Sequence, residues 1–62
     1  MKKYTLLFNS SIEKHSNNII VLLNYIYNMV GKTDITILNN KTNEKHTIKD
    51  YIDYNILLEK VS

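Results

Sequence analysis

The stretch Ser10–Val30, "SSIEKHSNNIIVLLNYIYNMV", has a polar half and an apolar half. Where the helix begins within it decides the fold. Ser10–Asn18 is polar and poor in helix formers, so it reads as a connection. Ser16 is a favourable N-cap, because its hydroxyl can accept from the orphan amides of a first turn. Ser10 with Glu13 also fits a capping box, which would start the helix earlier. The Ser16-Asn17-Asn18 run favours a start near Ser16. From there Ile19, Leu22, Leu23, Ile26, Met29 and Val30 recur at helical spacing and form a core stripe. Gly31, the only glycine, suits a left-handed C-cap, and Lys32 suits the negative end of the helix dipole.

Outward from this helix the flanks read as strands. Lys2–Asn9 alternates, with Tyr4, Leu6 and Phe8 on one side and Thr5, Leu7 and Asn9 on the other. Leu7 hints that the second face is not fully solvated. Thr33–Asn39 alternates again, with Ile35 and Ile37 inward and Asp34, Thr36 and Leu38 outward. "NNKTNE" is turn chemistry, since Asn tolerates positive φ, and Lys45–Ile48 pairs back as a short third strand. Thr47 or Asp50 caps a closing helix that runs to about Lys60, with Tyr51, Ile52, Asn55, Ile56 and Leu58 on its inner side. The expectation is a single α+β domain over residues 1–62. Its order is β-α-β-β-α, a three-stranded sheet with two helices on one face. The connection between the first two strands would be a right-handed crossover if they lie parallel in one sheet. The first strand, without Pro, is a weakly defended edge.

A chain of 62 residues buries only about 60% of its unfolded surface, so its core is thin. Disulfides, metals or association usually compensate. There is no Cys, and His15 and His46 stand far apart without carboxylates at ligand spacing, so neither a structural metal nor a cofactor is expected. Association is the support that remains. Nine Asn, nine Ile, eight Lys and five Tyr, with no Ala, Arg or Pro, follow AT-rich codons. They point to a low-GC bacterium, one of its phages or a mobile element. The net charge of +2 is mild and the lysines are scattered, unlike the basic stripe of a nucleic-acid footprint. Leu6–Phe8 is too short for the apolar core of a leader, about 7–15 residues, and Ile19–Val30 falls below the roughly 20 that a span requires. A cytoplasmic protein without membrane association is expected.

Ile20, Val21, Tyr25 and Tyr27 lie beside or opposite the core stripe of the first helix. Several apolar residues exposed together on so small a domain point to a contact surface, and Tyr is favoured at binding hot spots. The chain has no Ser/His/Asp spacing, paired acidic cluster or glycine-rich phosphate loop. The first expectation is therefore a non-enzymatic protein-binding module of a phage or mobile element. Its partner would be a host protein that it inhibits or modulates, or a second copy of itself. A small dimeric nucleic-acid-binding regulator is a further alternative.

A histidine just before a helix start can carry a phosphoryl group, because free amides and the positive dipole end stabilise the added charge. "IEKHSNN", with His15, occupies such a place. "TDITILNN" follows as a strand and turn, and "TIKDYIDYNILL" as a capped helix. In this order the chain resembles the histidine-containing phosphocarrier protein family of the sugar phosphotransferase system over roughly residues 1–58. The resemblance implies a phosphocarrier-like module using His15, with Asp50 where the family has its regulatory serine. The chain departs from the family at Asn17, where the family has a phosphate-gripping arginine, and at Asn18, where it has proline. The family's last strand, which lies between its first two, and its final helix have no counterpart here, so the resemblance demands a different pairing or a donated strand.

Overall fold

Asn9 and Ser10 both take positive φ, 51° and 68°, and reverse the chain within two residues. Such a turn matches the right-handed twist of the strands it joins. The computed structural model describes all 62 residues. The reversal makes Ser10–Ser16 part of a hairpin rather than a connection into a helix. β1 (Tyr4–Phe8) pairs antiparallel with β2 (Ser11–Ser16), with Phe8 opposite Ser11 and a bulge that leaves Glu13 unpaired. The expected three-stranded sheet is thus corrected to four strands, in the order β2-β1-β3-β4.

The helix begins later than Ser16. Asn18 is the N-cap of α1 (Ile19–Ile26), its side-chain oxygen accepting from the Ile20 amide at 3.0 Å. Ser16 instead shapes the bend before it: its hydroxyl accepts from the Asn18 amide and donates to the Asn18 carbonyl. Neither Ser10 nor Glu13 caps anything, because both lie in or beside the hairpin. After Ile26 the backbone tightens into a 3₁₀ turn over Tyr27–Met29. That change of period turns Met29 outward, so the core stripe is Ile19, Leu22, Leu23, Ile26 and Val30. Gly31 then takes φ 84°, and the Lys32 amide donates to the Met29 carbonyl.

β3 (Ile35–Asn39) lies directly beside β1, antiparallel, with Leu6 opposite Ile37 and Phe8 opposite Ile35. β1 is therefore an inner strand, not an exposed edge. The expected parallel relation of the first strand to Ile35–Asn39 is corrected, since β1 and β3 are antiparallel; it is β2 and β3, each antiparallel to β1, that run parallel and are joined through α1 across β1. β4 (Lys45–Ile48) returns from the Asn39–Glu44 turn and forms one edge. In that turn the Asn39 side chain accepts from the amides of Lys41 and Thr42, and Asn43 takes φ 63°.

α2 (Tyr51–Val61) is capped by Asp50, which accepts from the Asp53 amide, while Asp53 accepts from the Lys49 amide, each at 3.0 Å. This reciprocal cap satisfies two otherwise orphan donors. The inner side of α2 differs from the expected one. Tyr54 and Leu57 are buried and Leu58 and Val61 pack beside them, whereas Tyr51, Ile52, Asn55 and Ile56 face solvent. Tyr54 and Leu57, one turn apart, join the same buried cluster as Ile35, Ile37 and Ile48, and Ile52 and Ile56 are rotated away from it. Both helices cover one face of the sheet, and Leu6, Ile35, Ile37 and Ile48 are sealed beneath them. The other face, with Thr5, Leu7, Thr36 and Leu38, has no covering layer.

Candidate functional site

α1 carries three of the residues expected to meet a partner and the 3₁₀ turn after it the fourth, Tyr27. Tyr25 and Tyr27 fall on different flanks, because residues two apart do not share a helix face. Ile20 is half-buried and packs against the core. Val21, Tyr25 and Tyr27 are exposed.

Tyr25 leans toward β2. Its hydroxyl donates to Glu13 Oε2 at 2.6 Å, its ring stacks on Phe8 with centroids 6.3 Å apart, and the Lys14 ammonium stands 5.4 Å from the ring centroid. That last distance is within cation–π range. The bulge in β2 is what brings Glu13 here, since the unpaired residue is free to turn toward the helix. The hydrogen bond to Glu13, then loss of hydration, then the carboxylate charge hold the Tyr25 phenol above its ordinary pKa. All three favour the neutral form.

Tyr27 leans toward α2 and meets two more tyrosines. Its ring makes edge contacts with Tyr51 at 5.5 Å and Tyr54 at 5.7 Å, and Tyr51 meets Tyr54 at 6.1 Å. The Tyr51 hydroxyl donates to the Tyr27 carbonyl at 2.6 Å, and the Tyr54 hydroxyl donates to the Leu23 carbonyl at 3.1 Å. Edge-to-face aromatic pairs add about 0.5–1.5 kcal/mol beyond their burial. Tyr54 forms the floor at 5% exposure, and Tyr27 and Tyr51 stand on it at 54% and 44%. Burial, then the neighbouring Tyr27 and Tyr51, raise the Tyr54 pKa. Tyr51, expected on the inner side of α2, is exposed. The i, i+3 pair of Tyr51 and Tyr54 is the signal that could have shown one tyrosine buried and its neighbour standing beside it.

His15 lies in β2, three residues before the N-cap, on the uncovered sheet face. The expectation of a histidine just before a helix start is corrected by the Asn9–Ser10 turn. The Asn40 amide group donates to Thr5 Oγ1 at 2.8 Å, and Thr5 Oγ1 and His15 Nδ1 are 3.0 Å apart. The Thr5 hydroxyl thus stands between the Asn40 amide and His15 Nδ1 and ties β1 to both β2 and the turn after β3. β1 and β3 are bonded to each other, so no strand lies between them. Asp50 is the cap of α2. No three His, Cys, Asp or Glu side chains gather as a metal-binding group, and no helix is long and apolar enough to cross a membrane.

No protein-family model matches the chain, and comparison with curated proteins and with solved structures gives no match.

Proposed function

We propose that the chain is a non-enzymatic protein-binding module that docks on a host protein through the outer ridge of α1 and the 3₁₀ turn that follows it. Ile20, Val21, Tyr25 and Tyr27 are its contacts, joined by Tyr51. One observation carries the reading. Tyr27 and Tyr51 are held in fixed geometry on a buried Tyr54, yet keep about half of their surface open to solvent. Tyrosines ordered before binding contribute contact area without the entropy of ordering a mobile side chain. The AT-biased composition suits a phage or mobile element of a low-GC bacterium, in which a small binder inhibits or modulates a host protein.

The test is affinity capture from a low-GC bacterial lysate with the tagged wild type and two variants. Tyr25→Ala/Tyr27→Ala removes the anchors. Val21→Glu places a charge on the ridge at an exposed helical site. Both are expected to lose the captured partner while circular dichroism stays native. Capture and oligomeric mass unchanged in both variants would remove the ridge from consideration. A wild-type dimer mass that both variants reduce to a monomer would assign the ridge to a second copy instead.

A further inference from the structure

The two edges of the sheet are built differently. β2 carries the bulge at Glu13, which breaks its outward ladder. β4 is regular, with Lys45 opposite Leu38 and Ile48 opposite Ile35 throughout. The Asn39 amide donates to the Glu44 carbonyl at 2.8 Å, which fixes the phase of the ladder. Because antiparallel pairs alternate, His46 and Ile48 exchange hydrogen bonds with β3, and the amides and carbonyls of Lys45 and Thr47 point away from the sheet. They are unpaired in a strand that is otherwise in order.

Grooves flank this edge on both faces. On the helix side a groove of about 250 Å³ runs between β4 and α2, bounded by His46, Ile48, Ile56 and Lys60. Ile56 is 60% exposed there. On the uncovered face a depression of about 370 Å³ is bounded by Leu7, Thr36, Leu38, Lys45 and Thr47. An added strand projects its side chains alternately to the two faces of a sheet, so a groove on either side of an open edge is the shape that strand addition needs.

We infer that β4 accepts an extended, acidic segment of a partner protein as a fifth strand. Charge selects the occupant. Lys45, opposite Leu38, borders the depression on the uncovered face as well as the helix-side groove, Lys60 lines the helix-side groove, and Lys49 follows at the end of β4. The one carboxylate in that groove, Asp53, is already bonded to the Lys49 amide. A second copy would bring the same lysine-bearing edge, Lys45 and Lys49, beside this one, and like charges brought close across a strand pair are destabilising. Lysine on an edge strand thus disfavours self-pairing while attracting a segment that carries Glu or Asp, with a branched apolar residue to cover Ile56. This surface is separate from the tyrosine ridge.

The probe is a labelled, end-blocked peptide of alternating Val and Glu long enough to span β4, with its Val/Lys counterpart as control. Fluorescence anisotropy is expected to show binding of the Val/Glu peptide and not of the Val/Lys peptide. Thr47→Pro removes an outward amide without breaking a bond to β3, at an edge position where Pro is tolerated. It should weaken binding about tenfold. Lys45→Glu/Lys60→Glu should reverse the preference between the two peptides. Tyr25→Ala/Tyr27→Ala should leave peptide binding unchanged, so failure of the ridge and failure of the edge are read separately. Equal binding of both peptides, or no effect of Thr47→Pro in a variant with native circular dichroism, overturns the inference. A dimer that Thr47→Pro dissociates would do so too, by making a second copy the occupant.

Discussion

Replacing Tyr54 with Phe removes one oxygen from the junction of the two helices and leaves everything else in place. The hydroxyl donates to the Leu23 carbonyl across 3.1 Å, and the ring separately contacts Tyr27 and Tyr51. Phe keeps the ring, so the lost quantity is one buried hydrogen bond, about 0.5–1.5 kcal/mol. Small domains hold only about 0.05–0.15 kcal/mol per residue, so this is a sizeable share of the total. For a domain of this size, a loss near 1 kcal/mol lowers Tm by about 4–8 °C. Circular dichroism melts of wild type and Tyr54→Phe at neutral pH measure it. A second readout follows from the raised pKa of Tyr54, caused first by burial and then by Tyr27 and Tyr51. The fold holds the neutral phenol. Its contribution is therefore fully present below the ordinary value of 10.0 and is lost as pH rises through the higher folded value. Tyr54→Phe lacks this titration, so its Tm deficit should narrow in alkaline solution. No resolvable shift at neutral pH, or a deficit that widens in alkali, would refute the argument.

Three other perturbations test separate parts of the structure. Gly31→Ala adds a Cβ with nothing within 4 Å of it at φ +84°, so thermal melts should show only the left-handed backbone cost, about 1–2 kcal/mol. Asp50→Ala removes the cap of α2 and should cost about 1 kcal/mol in urea unfolding; an unchanged midpoint would mean that the cap is not formed. Glu13→Gln removes the charge beside Tyr25. Ultraviolet titration should show the Tyr25 phenol ionising at lower pH than in wild type, and an unmoved titration would contradict the bulge geometry.

Most elements were legible because their apolar residues recur with a clear period. Leu6, Ile35 and Ile37 alternate and are buried, and Ile19, Leu22, Leu23 and Ile26 recur on one helix face and are buried. β2 was not legible. Ser11–Ser16 is an edge strand with both faces largely solvated, its one branched residue, Ile12, is exposed, and its bulge breaks the period. The two-residue turn before it hides as well. Asn9-Ser10 takes the two positive φ values usually signalled by Asn-Gly. The start of α1 was misplaced for the same reason, since Ser and Asn favour turns and N-caps alike. The face of α2 was ambiguous because Tyr51, Ile52, Tyr54, Ile56, Leu57, Leu58 and Val61 surround the helix. Only packing against Ile48 and Leu23 selects Tyr54 and Leu57. Val21, Tyr25 and Tyr27 lie off the core stripe and are exposed, whereas Ile20 packs at its margin. The division of the two tyrosines between two flanks depends on β2 and α2 and is not legible in α1 alone.

Tyrosine nitration, mapped by peptide mass in the free protein and in the complex with its captured partner, tests the ridge most directly. Tyr27 and Tyr51 should react in the free chain and Tyr54 should not, and the partner should protect Tyr27 and Tyr51. Tyrosines that stay as reactive in the complex as in the free protein would contradict docking on the ridge.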